Sequence, residues 1–251
     1  DTLGNTNKSS EVFSWFFDNT SPSISSVSLA ADNSSIAVSF SENVFNTASG
    51  SGALEASDFA LSVSGGTATL ASATPTAIVQ NGNSYTLSFS LTGTPDGSEV
   101  ISVAPIANSV YDGSGNLAST TQAKGSGKLF DQTEPVVSAI TFSDDNSYVD
   151  IEFSVGVFSN ANGSGALELS DFQLVFNQNN GTAISASLSS IRRPDGSSAS
   201  SASALAGGES SVRIFLNYNG VPSGVESITL SPINGSSIYD LAGNGAQVTQ
   251  S

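Results

Sequence analysis

Apolar and polar residues alternate along several short stretches of this 251-residue chain. Ile36, Val38 and Phe40 are separated by Ala37 and Ser39; Tyr85, Leu87, Phe89 and Leu91 are separated by Thr and Ser; Ile101, Val103 and Pro105 follow the same rule. A period of two sends successive side chains to opposite faces, so each stretch is predicted to be an antiparallel strand with one buried and one wet face. The segments between them are rich in Gly, Ser, Asn, Asp and Pro, the residues of turns. No segment carries a sustained helical period, so the chain is predicted to be all-β.

The same alternation recurs at a fixed distance. GSGALEASDF at residues 50 to 59 returns as GSGALELSDF at 163 to 172, an offset of 113 (163 − 50). Carried backward, the offset pairs Asp18, Thr20 and Pro22 with Asp131, Thr133 and Pro135, and Ile36, Val38 and Phe40 with Val149, Ile151 and Phe153. It slips by two at Thr67-Ala68 (Thr182-Ala183), then by twelve more around RRPDGSSASSASALAGG. Beyond that loop SYTLSFSL matches SVRIFLNY, and Tyr111-Asp112 with Gly115-Asn116 matches Tyr239-Asp240 with Gly243-Asn244. Self-similarity of this extent sets the architecture.

Residues 18–130 form one repeat and 131–251 a second. Residues 1–17 read as the last strand of a preceding copy, since Phe16-Phe17-Asp18 falls where Leu129-Phe130-Asp131 closes repeat 1. Repeat 2 stops at Gln247-Val-Thr-Gln-Ser251 without a counterpart of the strand in SGKLF. Two explanations of this frame stand side by side: a window cut from a longer array, or a free N-terminal strand that completes repeat 2 of the next molecule.

About seven short strands in roughly 113 residues is the size and rhythm of an immunoglobulin-like β-sandwich. In that frame the echoed segment is a connection between sheets: Gly50-Ser-Gly52 as a flexible crossing, Leu54 to Asp58 as a single helical turn, and Phe59 as a core plug at the start of the next strand.

Composition narrows the chemistry. Cys and His are both absent, which removes disulfides, Ser-His-Asp and Cys-His nucleophiles, and metals that need thiolate or imidazole. Oxygen ligands remain, the type that suits calcium. The net charge of −16, from 22 acidic and 6 basic residues, argues against a nucleic-acid partner. No run of 18 apolar residues predicts a membrane span. The lack of Met, even at position 1, reads as a processed or excised piece of a secreted protein.

Strand counting gathers the oxygen donors. If the first strand runs up from the linker, the second returns and ends at Glu42 beside Asp18, and a later descending strand delivers Asp112 and Asn116 to the same pole. Asp18, Glu42, Asp112 and Asn116 are therefore the candidate calcium ligands at the junction with the preceding repeat. Asp131, Asp240 and Asn244 are their counterparts in repeat 2, where Val155 replaces the glutamate and predicts weaker binding or none. The competing reading is a tight Asp-Gly-Ser-Gly-Asn turn with Asx side chains capping backbone amides and Gly115 at positive φ. An EF-hand is excluded, because its twelfth position holds Ala123.

Paired acids such as Glu55 with Asp58 and Glu168 with Asp171 could in principle serve a glycosidase. Their repetition in both copies, without a cleft, speaks against catalysis. Trp15, in VFSWFF with Phe13 and Phe17, is expected to face a core, with sugar stacking as the rival role. Arg192-Arg193 open the inserted loop, which reads as a solvated Ser/Ala/Gly insertion, with contact to an anionic partner as the rival role.

DNTSP with FSENVF, GSGALEASDF, YDGSGN and the following DQTEP resemble the bacterial Ig-like repeats of long surface proteins, among them the repeat family named for a cyanobacterial swimming-motility protein and related repeats of marine adhesins. FSVGVF in repeat 2 departs from the pattern. The resemblance implies tandem immunoglobulin-like sandwiches at a bacterial cell surface. The expected function is a structural spacer of an adhesin or motility filament, without catalysis, whose partners are neighbouring repeats, other copies of itself, or a surface glycan. A carbohydrate-binding module is the alternative.

Overall fold

The computed structural model describes residues 17–122 and 127–249. Within them the fold is all-β: antiparallel strands joined by turns, with two short 3₁₀ turns as the only helical elements among the described residues. The chain forms two compact units. The first runs to Leu129 apart from Thr94–Gly97, and the second takes those four residues and everything from Phe130.

Unit 1 contains β1 (Ile24–Leu29), β2 (Ser35–Phe40), β3 (Val44–Phe45), β4 (Phe59–Ser64), β5 (Thr69–Leu70), β6 (Ala77–Asn81), β7 (Ser84–Ser88), β8 (Leu91–Thr92), β9 (Val100–Pro105), β10 (Tyr111–Asp112) and β11 (Gly127–Lys128). One sheet has the order β1-β2-β7-β6 and another β11-β9-β4; β10-β3 and β5-β8 are two-stranded. The predicted alternation is realised. Ile36, Val38 and Leu87 of one sheet and Leu61, Ile101 and Val103 of the other are buried in a single core between them, a sandwich-like arrangement. Phe59, 1% exposed, sits at its centre, with its ring 6.2 Å from those of both Phe40 and Tyr85. Rings at that separation add to the burial of three large apolar surfaces.

Unit 2 contains β12 (Val137–Phe142), β13 (Tyr148–Val157), β14 (Phe172–Asn177), β15 (Ser185–Arg192), β16 (Glu209–Asn219) and β17 (Ser227–Pro232). Its sheets are β12-β13-β16-β15 and β14-β17. The ladders repeat those of unit 1 in register: Phe59 lies opposite Pro105 and Val63 opposite Ile101, as Phe172 lies opposite Pro232 and Phe176 opposite Ile228. Even the irregularity near the start of the first strand recurs, between Ile24 and Ser26 and between Val137 and Ala139.

The echoed segment is less flexible than its glycines suggest. Asn46 donates its N–H to the Gly52 carbonyl, Gly50 donates to Thr47, and the Thr47 hydroxyl bonds back to Ser51. Gly52 and Gly165 stand at φ of 86° and 85°, the left-handed region that side chains avoid, so the glycines are needed for shape. The helical turn is a 3₁₀ turn, Ala56–Asp58, with Leu169–Asp171 as its twin.

One strand breaks the alternation. Val212 to Leu216 of β16 are all buried, including Arg213. The outer face is covered because Arg213 lies 3.6 Å over the Tyr148 ring, forms two bonds of 2.7 Å to Asp150, and donates to the carbonyl of Gly196 in the inserted loop. The insertion is thus fastened to the sheet rather than freely solvated. Arg193 is fastened as well, 2.7 Å from Glu209.

Candidate functional site

The start of repeat 1 is built by a turn. β10 pairs with β3, placing Asp112 opposite Val44 and so next to Glu42, two residues upstream. After Asp112 the chain reverses through Gly115 at φ 87°, and the Asp112 amide donates to the Asn116 carbonyl across the turn at 3.0 Å. The Asp112 carboxylate, fully buried, faces inward and accepts three bonds: from the Ser114 and Asn116 amides at 2.8 Å and from Asn116 Nδ2 at 2.7 Å. Asn116 Nδ2 also donates to the Asp18 carbonyl at 2.8 Å. One amide group therefore ties the first residue of the repeat to a fully buried acid.

Asp18, Glu42 and Asp112 come together, with one carboxylate oxygen from each within 4.8 Å of the others. Asp18 is exposed, and its Oδ1 accepts the Thr20 amide at 2.9 Å. Burial raises the Asp112 pKa, but the bonds from Asn116, Ser114 and Gly115 together outweigh it and hold the carboxyl below its ordinary value. Glu42 moves the opposite way. Burial and then the negative charges of Asp112 and Asp18 push it up. Three carboxylates compressed in this way repel one another, and a cation would relieve that repulsion. Calcium ligands lie about 2.3–2.6 Å from the ion, so oxygens up to about 5 Å apart can share one, and this donor set fits.

Repeat 2 keeps the turn and loses the third acid. Asp240 is buried and accepts the Asn244 amide and Nδ2, both at 2.8 Å; the same Nδ2 reaches the Asp131 carbonyl at 3.3 Å. Val155 stands where Glu42 would. The pairing of Asp and Asn is thus retained where the acidic triplet is not, which assigns that pair to fastening the turn.

The other repeated acids also bond inside their own repeat. Asp58 and Asp171 accept the Glu55 and Glu168 amides at 2.7 and 2.8 Å, closing the 3₁₀ turns as capping boxes. A second pair escapes sequence reasoning. Fully buried Glu99 accepts the amides of Thr67 and Ala68 at 2.9 Å, and Glu226 accepts the Ala183 amide at 2.8 Å and that of Ser223 at 2.8 Å. Those amides, with the Ser223 hydroxyl, hold the Glu226 carboxyl down to about 2. The available signal was an acid kept in register by both copies just before β9 and β17. Trp15 and Ala123 lie outside the described residues.

No family model matches the chain, and neither a curated protein nor a solved structure shows significant similarity to it.

Proposed function

We propose that the chain is a pair of structural modules, immunoglobulin-like sandwiches of about seven strands each, that extend a secreted bacterial surface protein of the adhesin or motility type. The observation that carries this reading is the use of the repeated acids. Glu99, Asp112, Asp58 and their counterparts Glu226, Asp240 and Asp171 each accept hydrogen bonds from their own repeat. A catalytic carboxylate needs to be directed at a substrate, whereas these acids are turned to the backbone of their own repeat; Asp112, with three bonds accepted, keeps a lone pair for a cation. The resemblance of DNTSP, FSENVF and YDGSGN to surface repeats supports the same reading.

Calcium held by Asp18, Glu42 and Asp112 is part of the proposal. It would stiffen the start of repeat 1 by cross-linking the first residue, the end of β2 and the Asp112 turn. Thermal unfolding in calcium and in a chelator tests this. A ligand that binds only the folded state adds about 2.7 kcal/mol at a hundredfold excess over Kd. The expected result is a higher midpoint for repeat 1 alone, abolished by Glu42→Ala. An unchanged midpoint would leave a module without metal, and an equal rise in the Glu42→Ala variant would place the ion elsewhere.

A further inference from the structure

A strand at the edge of a sheet offers unpaired N–H and C=O groups to any second strand, and folds blunt such edges with a bulge, a charge or a covering loop. The two repeats treat one equivalent edge differently. In repeat 2 the edge strand β15 carries an irregularity between Leu188 and Ser190 and ends in Arg192. The inserted loop is fastened to that end, since Arg192 Nε donates to the Ala199 carbonyl at 3.3 Å and the Arg193 amide to the Ser203 carbonyl at 2.9 Å. In repeat 1 the edge strand is β6, which pairs with β7 without a shift, from Ala77 opposite Ser88 to Asn81 opposite Ser84. Among the described residues β7 is its only strand partner, and none of its five residues is charged. It lies in the middle of residues 59–95, which hold no charged residue at all in a chain of net charge −16.

The hairpin fixes which backbone groups of β6 point outward. Gly82 and Asn83 form a two-residue turn, with Gly82 at φ 61°, so the flanking Asn81 and Ser84 bond each other. Opposed pairs in an antiparallel ladder alternate between bonded and unbonded. Val79 therefore turns its bonding groups to Thr86 of β7, while Ile78 and Gln80 turn theirs to the open edge. The side chains alternate as well: Ile78 packs against the core, and Val79 is 64% exposed on the outer face. Two such edges related by a two-fold axis at Val79 are complementary. Ile78 of each copy comes opposite Gln80 of the other, giving four backbone hydrogen bonds, and Val79 meets Val79.

We propose that β6 joins two copies of the chain edge to edge, antiparallel, in the register centred on Val79. Two features identify a second copy as the partner. The centred register sets the outward groups of Ile78 and Gln80 against the same groups of an identical strand and covers an exposed valine with itself. Copies of like charge repel wherever their acids face one another, and the segment without charge is where two of them can close. Pairing over five residues covers less than the about 800 Å² per partner of a stable complex, so a single contact is weak, and a protein with several such modules gains strength through multivalency. The contact goes beyond the spacer reading, because it gives the module a lateral partner, and it stands whether or not calcium binds.

The chain has no cysteine, so a single introduced thiol reports the register. Val79 is exposed, and Val79→Cys is compatible with folding. An unbonded antiparallel pair brings its Cα atoms to about 4.5 Å, within disulfide reach. The expected result on oxidation of concentrated protein is a covalent dimer of Val79→Cys. Ala77→Cys, equally exposed but about 13 Å from its own copy in this register, gives little crosslink. Charge supplies an independent readout in sedimentation. The wild type shows a mass that rises with concentration, while Val79→Lys and Val79→Glu, each with like charges directly opposed, stay monomeric with unchanged circular dichroism. An equimolar mixture of the two variants associates again. Three results would overturn the proposal: a wild type still strictly monomeric at about 1 mM, equal crosslinking of the two cysteine variants, or a mixture of the Lys and Glu variants as monomeric as its parts.

Discussion

Replacing Asn116 with Ala removes a side chain whose single Nδ2 serves two acceptors. One is the buried Asp112 carboxylate at 2.7 Å, the other the Asp18 carbonyl at 2.8 Å. A hydrogen bond to a charged group is worth about 1.5–3 kcal/mol and a neutral one about 0.5–1.5 kcal/mol. Asp18 is exposed, so its carbonyl recovers water and the second contribution falls at the low end. The expected loss is about 2–3 kcal/mol for repeat 1, close to 10 °C in Tm for a domain of this size. Acidity gives a second signature. The Asp112 pKa lies below its ordinary 3.8 in the folded repeat, so the stability it contributes is present above that value and lost as pH falls through the folded pKa. The deficit of Asn116→Ala should be full at pH 7 and shrink on acidification below about pH 4. Urea unfolding followed by circular dichroism across pH, in chelator, measures both. A deficit below about 0.5 kcal/mol, or one that does not shrink in acid, would refute the fastening role. Asn244→Ala should act the same way on repeat 2, somewhat less, given its 3.3 Å bond to Asp131.

Glu42, whose pKa is raised, has the opposite sign. The folded repeat holds its proton more tightly than the unfolded chain, so its contribution falls as pH rises from the ordinary 4.5 through the folded value. Glu42→Gln should therefore stabilise repeat 1 in chelator at neutral pH and gain nothing at pH 3, as differential scanning calorimetry would show. Arg213→Ala leaves Asp150 without its partner and frees Gly196; for a pair that is partly solvated the expected cost is about 2–3 kcal/mol. Limited proteolysis should then cut between residues 194 and 206. Arg213→Lys should not rescue, because an ammonium cannot form the two parallel bonds while stacked on Tyr148.

Much of the fold could be read directly from the alternating residues. Ile36, Val38, Phe40 and their partners at offset 113 are buried as the period requires, and Phe59 plugs the core. β16 was not readable in full, because Arg213 is fastened to Gly196 of a loop whose Ser, Ala and Gly carry no pattern, and Phe215 packs against the Tyr148 ring, 5.8 Å away. Glu99 and Glu226 stayed hidden for a related reason: the partners they have in common are the backbone amides of Ala68 and Ala183, 31 and 43 positions away, and amides have no residue type. The convergence of Asp18, Glu42 and Asp112 followed from strand direction alone. The role of Asn116 did not, since an amide side chain can present oxygen or nitrogen, and the fold uses its nitrogen to hold the acid that the sequence counted beside it as a ligand.

The central claim is that each repeat is a self-contained mechanical module. Stretching single molecules of the full chain tests it most directly. Residues 18–130 and 131–251 each release about 40 nm when fully extended, so the account predicts two separate unfolding events of nearly equal length, with the repeat 1 event moving to higher force in calcium. A single event of doubled length, or a gradual extension without peaks, would contradict it.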